Sequence, residues 1–246
     1  MRVLKFGGSS VGDSERIRAV IDIVIESQKN HGPITVVASA IQGVTDQLVE
    51  ASRSAFRGDR SYEDLLGELQ QRHTSIANDL LGNQADVNSH RFIAQAFLEL
   101  REFIHGIWIL GEITNRTLDF VMSYGEQLSC AIIAEALQRR GFPASYVDGR
   151  TLIHTDLAYG SAQVNFDLTN WNILNHFKNR TDIRVITGFI ARGPGNETTT
   201  LGRGGSDYTA SIIGAALDAD EIEIWTDVDG VMTADPRRVS EAFSLE

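Results

Sequence analysis

Two glycine-rich segments near opposite ends of the chain carry the residues best suited to chemistry on an anion. The C-terminal one is Leu201-Gly202-Arg203-Gly204-Gly205-Ser206-Asp207, followed at once by a helix-like stretch from Tyr208 to Leu217. Its glycines let the backbone adopt positive φ and come close to a ligand. The helix start behind them offers unpaired N–H groups to negative charge. Arg203 can grip a carboxylate through two parallel hydrogen bonds, a geometry that lysine lacks. A plainer reading makes Ser206 an N-cap and the glycines a simple turn, which leaves Arg203 without a task.

The N-terminal segment opens with Val3-Leu4-Lys5-Phe6, a short buried strand, and runs into Gly7-Gly8-Ser9-Ser10-Val11-Gly12. Asp13 then stands as an N-cap before an amphipathic helix whose apolar face is Ile17, Val20, Ile21, Val24 and Ile25. Strand, glycine loop and helix together make a phosphate cradle, with backbone N–H groups and the helix dipole favouring negative charge. The lysine precedes the glycines, so this is not the Walker pattern, and the glycine spacing does not fit a Rossmann fingerprint. The competing reading is a strand-to-helix turn with a surface lysine.

Two further motifs are open to more than one reading. Ser123-Tyr124-Gly125-Glu126 precedes the apolar run from Leu128 to Leu137 and fits a capping box, which would make Glu126 structural. Gly125 also permits a close backbone approach, which keeps a ligand role open for Glu126. Thr226-Asp227-Val228-Asp229-Gly230 follows a strand and is either a tight turn or a ligand loop; it lacks the later ligands of a calcium loop. The six histidines show no metal-ligand spacing, and Cys130 lies in an apolar helical run as a small buried residue.

The elements that must position these groups alternate. Strand, loop, helix and strand fill the first 45 residues, with Ile34 to Ser39 as the second strand and Ala40 to Thr45 as the loop after it. From Thr45 to about Arg140 the pattern is helical, with no proline between Pro33 and Pro143. Leu65, Leu66, Leu69, Phe92, Phe97, Leu98, Leu100 and Phe103 supply its apolar faces. Strands are expected at Ala144 to Val147, Arg184 to Thr187 and Glu221 to Trp225, with a helix from Asp167 to Lys178. Gly193-Pro194-Gly195-Asn196 marks a hairpin turn. Alternation of this kind predicts an α/β fold with a mostly parallel sheet and helices on both faces. In such sheets ligands gather at the carboxyl ends of the strands, where the loops after Phe6, Ser39, Thr187 and Trp225 all fall.

Composition narrows the classes of partner. At 246 residues the chain can bury a substantial core, and its net charge of -11 argues against nucleic acid as the main partner. A single cysteine rules out a disulfide framework and favours a reducing compartment. No apolar run approaches the roughly 20 residues of a membrane span, and no signal peptide opens the chain, so a cytoplasmic location is expected.

Taken in order, Lys5-Phe6-Gly7-Gly8-Ser9-Ser10-Val11, Ser123-Tyr124-Gly125-Glu126, the Arg203 turn and Trp225-Thr226-Asp227-Val228-Asp229-Gly230-Val231 resemble the aspartate kinases of the amino-acid kinase family. The resemblance covers essentially the whole chain. It implies a three-layer α/β/α sandwich with a helical lobe at about 46–120, and ATP-dependent phosphorylation of the L-aspartate side-chain carboxylate. By the same resemblance Lys5, Gly7, Gly8 and Ser9 hold the ATP phosphates, while Thr226, Asp227, Met232 and Arg237 lie on the nucleotide side. Thr45, Glu126, Phe189, Arg203, Gly204 and Ser206 line the aspartate site, with Arg203 on a carboxylate and Glu126 on the ammonium group. Asp207 orients Lys5 rather than acting as a base, and Mg²⁺ arrives on the ATP phosphates with no protein ligand set of its own. The resemblance further implies a catalytic domain that continues past Glu246, paired regulatory ACT modules, in some members a homoserine dehydrogenase part, and a homo-oligomeric full-length protein. On that basis the chain is expected to be a truncated catalytic domain that binds aspartate but turns over poorly.

Overall fold

Short runs rich in Val and Ile become strands because β-branched side chains pack well on a pleated surface and lose helix propensity through their stiff χ1. The structure is a computed structural model and describes residues 1–82, 88–178, 181–226, 230, 233–234, 238–239 and 241–243. In chain order the elements are β1 (Arg2–Phe6), α1 (Ser14–His31), β2 (Ile34–Ala38), α2 (Val44–Phe56), α3 (Ser61–Leu81), α4 (Asn88–Leu110) and α5 (Asn115–Arg139). There follow β3 (Ala144–Val147), α6 (Phe166–Phe177), β4 (Ile183–Thr187), β5 (Ile190–Arg192), β6 (Thr198–Thr200), α7 (Gly205–Ala216) and β7 (Glu221–Trp225). Short 3-10 turns at Gly8–Val11 and Gly149–Thr151 complete the set.

The main sheet has the order β3-β4-β2-β1-β7, and every pairing in it is parallel. β5 and β6 form a separate antiparallel hairpin around the Gly193–Asn196 turn, where Asn196 takes a φ of 68°. Leu4, Phe6, Val36, Ala38 and Val185 face one side and share a core with α1, α5 and the helices α2 to α4. Val3, Val37, Val147 and Ile186 face the other and pack with Ile173 of α6 and Ala210, Ile212 and Ile213 of α7. Three layers result, with the helical lobe continuous with the first core. Leu98 and Phe103 depart from the expected apolar face of α4: both are exposed.

Two helix starts differ from expectation. Asp13 does cap α1, accepting from the Arg16 N–H at 2.9 Å. The capping box at Ser123 is overturned. α5 begins at Asn115 behind Thr114, whose hydroxyl accepts from the Thr117 N–H, so Ser123 and Glu126 lie in mid-helix. Ser123 instead donates to the Phe120 carbonyl within its own helix. Ser206 is likewise not a cap. α7 starts at Gly205 behind Gly204, a glycine with φ 73° that the left-handed conformation suits.

Within α3, His73 is fully buried against Phe97 and donates through Nδ1–H to the Leu69 carbonyl at 2.7 Å. Burial pushes its pKa down from 6.5 to about 4. An unfolded chain therefore takes up a proton here that the folded chain refuses, and stability falls as pH drops below 6.5 toward 4. Between pH 8 and 5 this residue should cost about 2 kcal/mol. Urea unfolding at the two pH values checks it: the wild-type midpoint should fall further than that of His73→Leu.

Candidate active site

Burying a lysine at the centre of a sheet is costly unless its charge is matched. Lys5 shares its face of β1 with Val3 and pairs in register with Val37 of β2 and Ile224 of β7, so its stem points toward α7. There Nζ meets Asp207 Oδ1 at 2.6 Å, the lysine side chain being one-tenth exposed and the aspartate half exposed. The adjoining glycines are shaped by this arrangement. A Cβ on Gly7 would stand 3.4 Å from Lys5 Nζ, and one on Gly8 would stand 3.1 Å from the Ala40 carbonyl. A side chain on Gly8 would therefore crowd the loop after β2 by a few tenths of an ångström, while one on Gly7 would touch the ammonium group.

Glu126 reaches the same place from the opposite layer. A Cβ on Gly125 would fall 2.7 Å from that of Ala40, so glycine there lets α5 press onto the loop after β2. Ser129 Oγ donates to the Ser39 carbonyl at 2.7 Å one turn further along. Glu126 Oε1 then accepts the Ala40 N–H at 3.1 Å, whereas Oε2 is buried with no hydrogen-bond partner. Desolvation raises its pKa from 4.5 to about 8.

Lys5, Asp207 and Glu126 line one cavity of about 250 Å³, together with Ser39, Thr45 and Phe189. Gly202, Gly204, Gly205 and Ser206 close it. Its size suits a small metabolite rather than a drug-sized ligand, for which roughly 300–1,000 Å³ is usual. Thr45 lies in the first turn of α2, and Gly205, Ser206 and Asp207 open α7. Both helices start behind a left-handed glycine, Gly43 and Gly204, with no side-chain cap. Two helix N-termini and one ammonium group therefore address an anion, while the unpartnered oxygen of Glu126 awaits a donor.

Phe189 holds its place under strain. Its φ is 66°, unusual for an aromatic residue and worth about 1–3 kcal/mol. Its N–H donates to Thr209 Oγ1 and its carbonyl accepts from the Leu201 N–H at 2.9 Å. Gly188 before it has no room for a side chain, since a Cβ would meet Ser206 Oγ at 2.5 Å. The start of α7 and the end of β4 are thereby held in contact.

Of the residues singled out from sequence, Lys5, Thr45, Glu126, Phe189, Gly204, Ser206 and Asp207 come together here. Arg203 is exposed and does not line the cavity; it stands on the rim between Gly202 and Gly204, which do. A glycine turn constrains where the backbone goes but not where its one long side chain points. Ser9 and Thr226 line a second cavity of about 420 Å³ with Phe6, Arg16, Gln42 and Trp225. Asp227, Met232 and Arg237 lie outside the described residues, as does Asp229. Ser39 and Gly202 were not singled out as ligand groups. Ser39 was within reach of sequence reasoning, because it follows directly on the carboxyl end of β2.

A parallel sheet whose strand ends carry a lysine, a glycine loop and two glycine-capped helix starts is the architecture of a small-molecule kinase of the amino acid kinase family. The model of that family matches residues 1–246, and the chain belongs to it. The chain is 39% identical over 249 residues to the bifunctional aspartokinase/homoserine dehydrogenase 1 of Zea mays, a chloroplastic protein, covering 99% of this chain and 26% of that one. It is 31% identical to the aspartokinase of Candida albicans, covering 99% of this chain and 47% of the other. The chain thus spans about a quarter to a half of the length of the curated relatives it matches. Among solved structures, E. coli aspartokinase III in complex with aspartate and ADP superposes with a TM-score of 0.91 at 28% identity, covering 100% of this chain and 53% of that one. The same enzyme in complex with lysine and aspartate gives 0.79 at 29% identity, covering 100% of this chain and 54% of that one.

Proposed function

We propose that this chain catalyses ATP-dependent phosphorylation of the L-aspartate side-chain carboxylate to 4-phospho-L-aspartate, the entry to threonine, methionine and lysine synthesis. The observation that carries this is the pairing within one small cavity of a buried glutamate with a free oxygen and an anion-seeking wall. A zwitterionic dicarboxylate needs both: Glu126 receives its ammonium group, while Lys5, the α2 and α7 N-termini and Arg203 at the rim receive its carboxylates. The likeness to an aspartokinase solved with aspartate and ADP supports the same assignment.

The acceptor carboxylate has a pKa near about 4 and is ionised at neutral pH, so no general base is needed. Catalysis then rests on bringing two anions together and neutralising the charge between them. Lys5 serves that purpose, and Asp207 holds Lys5 in place. Gly7, Gly8 and Ser9 receive the phosphates by close backbone approach, with Thr226, Asp227, Met232 and Arg237 on the nucleotide side. ATP supplies the γ-phosphoryl group. Among the described residues no group of three His, Cys, Asp or Glu side chains is placed to hold a metal, and Mg²⁺ would enter on the triphosphate. No helix among the described residues is long and apolar enough to cross a membrane. The single, buried Cys130 supports a cytoplasmic location, although plant relatives are named as chloroplastic.

An ADP-release assay across acceptors tests the reading. Aspartate should respond, and glutamate, N-acetylglutamate, carbamate and UMP should not. An N-acetylated acceptor would leave Glu126 facing an amide with no charge to match. Arg203→Ala should raise the KM for aspartate about tenfold or more, the scale of a lost charge-assisted bidentate contact. Turnover with another acceptor in place of aspartate would overturn the assignment.

A further inference from the structure

Seven residues before Glu126 on α5, and so on the same helix face two turns away, lies a second buried carboxylate. Asp119 is 1% exposed, and its hydrogen bonds leave its own helix altogether. Oδ2 accepts the N–H groups of Gly160 at 2.9 Å and Thr200 at 3.0 Å, and Oδ1 accepts the Thr200 hydroxyl at 2.8 Å. Burial raises its carboxyl above the usual range, while these three bonds act the other way. A charge this deep is retained only where each bond secures something.

What it secures is the far wall of the cavity. Thr200 ends β6, and the next residue, Leu201, bonds back to the Phe189 carbonyl before the chain turns through Gly202 and Gly204. Gly160 presses on the same turn from outside, since its carbonyl lies 3.1 Å from where a Cβ on Gly202 would be. The Thr200 carbonyl in turn accepts from Ala162 at 2.9 Å. α5 therefore contributes Glu126 to one wall directly, and through Asp119 it fixes the segment that forms the opposite wall.

The geometry points to Asp119 as a positioning residue that locks the Gly202–Ser206 turn in register with Glu126 and so sets the affinity for the amino-acid substrate. The inference rests on the proposed function only for the identity of that substrate. Asp119→Asn can keep every contact: its amide oxygen accepts both N–H groups and its nitrogen donates to the Thr200 hydroxyl. Asp119→Ala leaves the buried N–H and hydroxyl of Thr200 unmatched and releases the part-buried N–H of Gly160.

The test is calorimetric titration of aspartate and of a non-hydrolysable ATP analogue into wild type and both variants, with amide hydrogen exchange over residues 198–206. Asp119→Ala should lose tenfold or more in aspartate affinity, stay within twofold for the nucleotide, and exchange faster over 198–206 while β1 stays protected. Asp119→Asn should stay within threefold of wild type on every measure. Equal weakening of both ligands, or unchanged affinity and protection in Asp119→Ala, would overturn the proposal. If Asp119→Ala does not fold, Thr200→Val removes only the hydroxyl contact and should weaken aspartate alone, about threefold or more; no change there overturns it too. A wild type that binds no aspartate defeats the proposed function instead. Exchange over 198–206 then judges Asp119 by itself, and unchanged protection in the variants would count against it.

Discussion

Lys5→Ala should lower ADP release by about 10³-fold or more while leaving the circular dichroism spectrum unchanged. Removing one preorganised charge-stabilising donor from a transition state typically costs 10²–10³, and here the only buried ammonium group of the cavity wall among the described residues is lost. The fold should survive, because the partner left behind, Asp207, is half exposed and can turn to water. Asp207→Ala is the informative companion. If the aspartate only orients Lys5, its loss should cost less, about 10–100-fold, the scale of a misplaced catalytic group. A drop as large as that of Lys5→Ala would show that Asp207 does chemistry of its own and would refute its role as an organiser.

Aspartate affinity should rise with pH up to about 8 and then level off, and Glu126→Gln should abolish the rise. Glu126 is held largely protonated at neutral pH because burial lifts its pKa to about 8. Binding an ammonium group favours the carboxylate form, so each binding event releases a proton. Below that pKa, affinity should therefore grow by up to about tenfold per pH unit. Lys5 and Asp207 line the same cavity, and Cys130 lies one turn along α5, its thiol pushed up by burial and by Glu126. At pH 8 the glutamine variant should bind aspartate at least thirtyfold more weakly, in line with about 2 kcal/mol for a hydrogen bond to a charged group. Titrations at pH 6, 7 and 8 would show both effects, and a parallel slope in the variant would rule Glu126 out as the proton donor.

Much of the sheet could be read from the residues themselves. Val3 to Phe6, Ile34 to Ser39 and Arg184 to Thr187 are short apolar or β-branched runs with a glycine or proline beside them, each within a residue of the observed strand, and the Gly193–Asn196 turn announces the hairpin. Helix interiors were equally legible, but two of their starts were not. Ser123 and Glu126 satisfy a capping-box spacing that α5 ignores, because α5 packs on the loop after β2 and starts nine residues earlier, at Asn115. Ser206 looks like a cap, yet Gly204 takes the left-handed position and draws α7 back by two residues. Local pattern also could not show that Asp119 belongs with Thr200, or that Arg203 stands exposed at the rim and not in the cavity lining. Those depend on segments that meet only when the sheet and the helical lobe close around them.

The strand that carries Lys5 lies between β2, which follows it closely in the chain, and β7, which ends at Trp225. During synthesis β1 and β2 can pair early, yet Asp207 lies roughly 200 residues further on, about 10–40 s later at ordinary elongation rates. Until β7 is made the edge of β1 is open, and until Asp207 is made its lysine lacks this counter-ion. The nascent N-terminal half therefore holds an unfinished strand edge and an unmatched charge, which favours chaperone protection and delays commitment to the native sheet. The anion site exists only once the start of α7 has been made, so a chain released before Asp207 carries the glycine loop but no cleft.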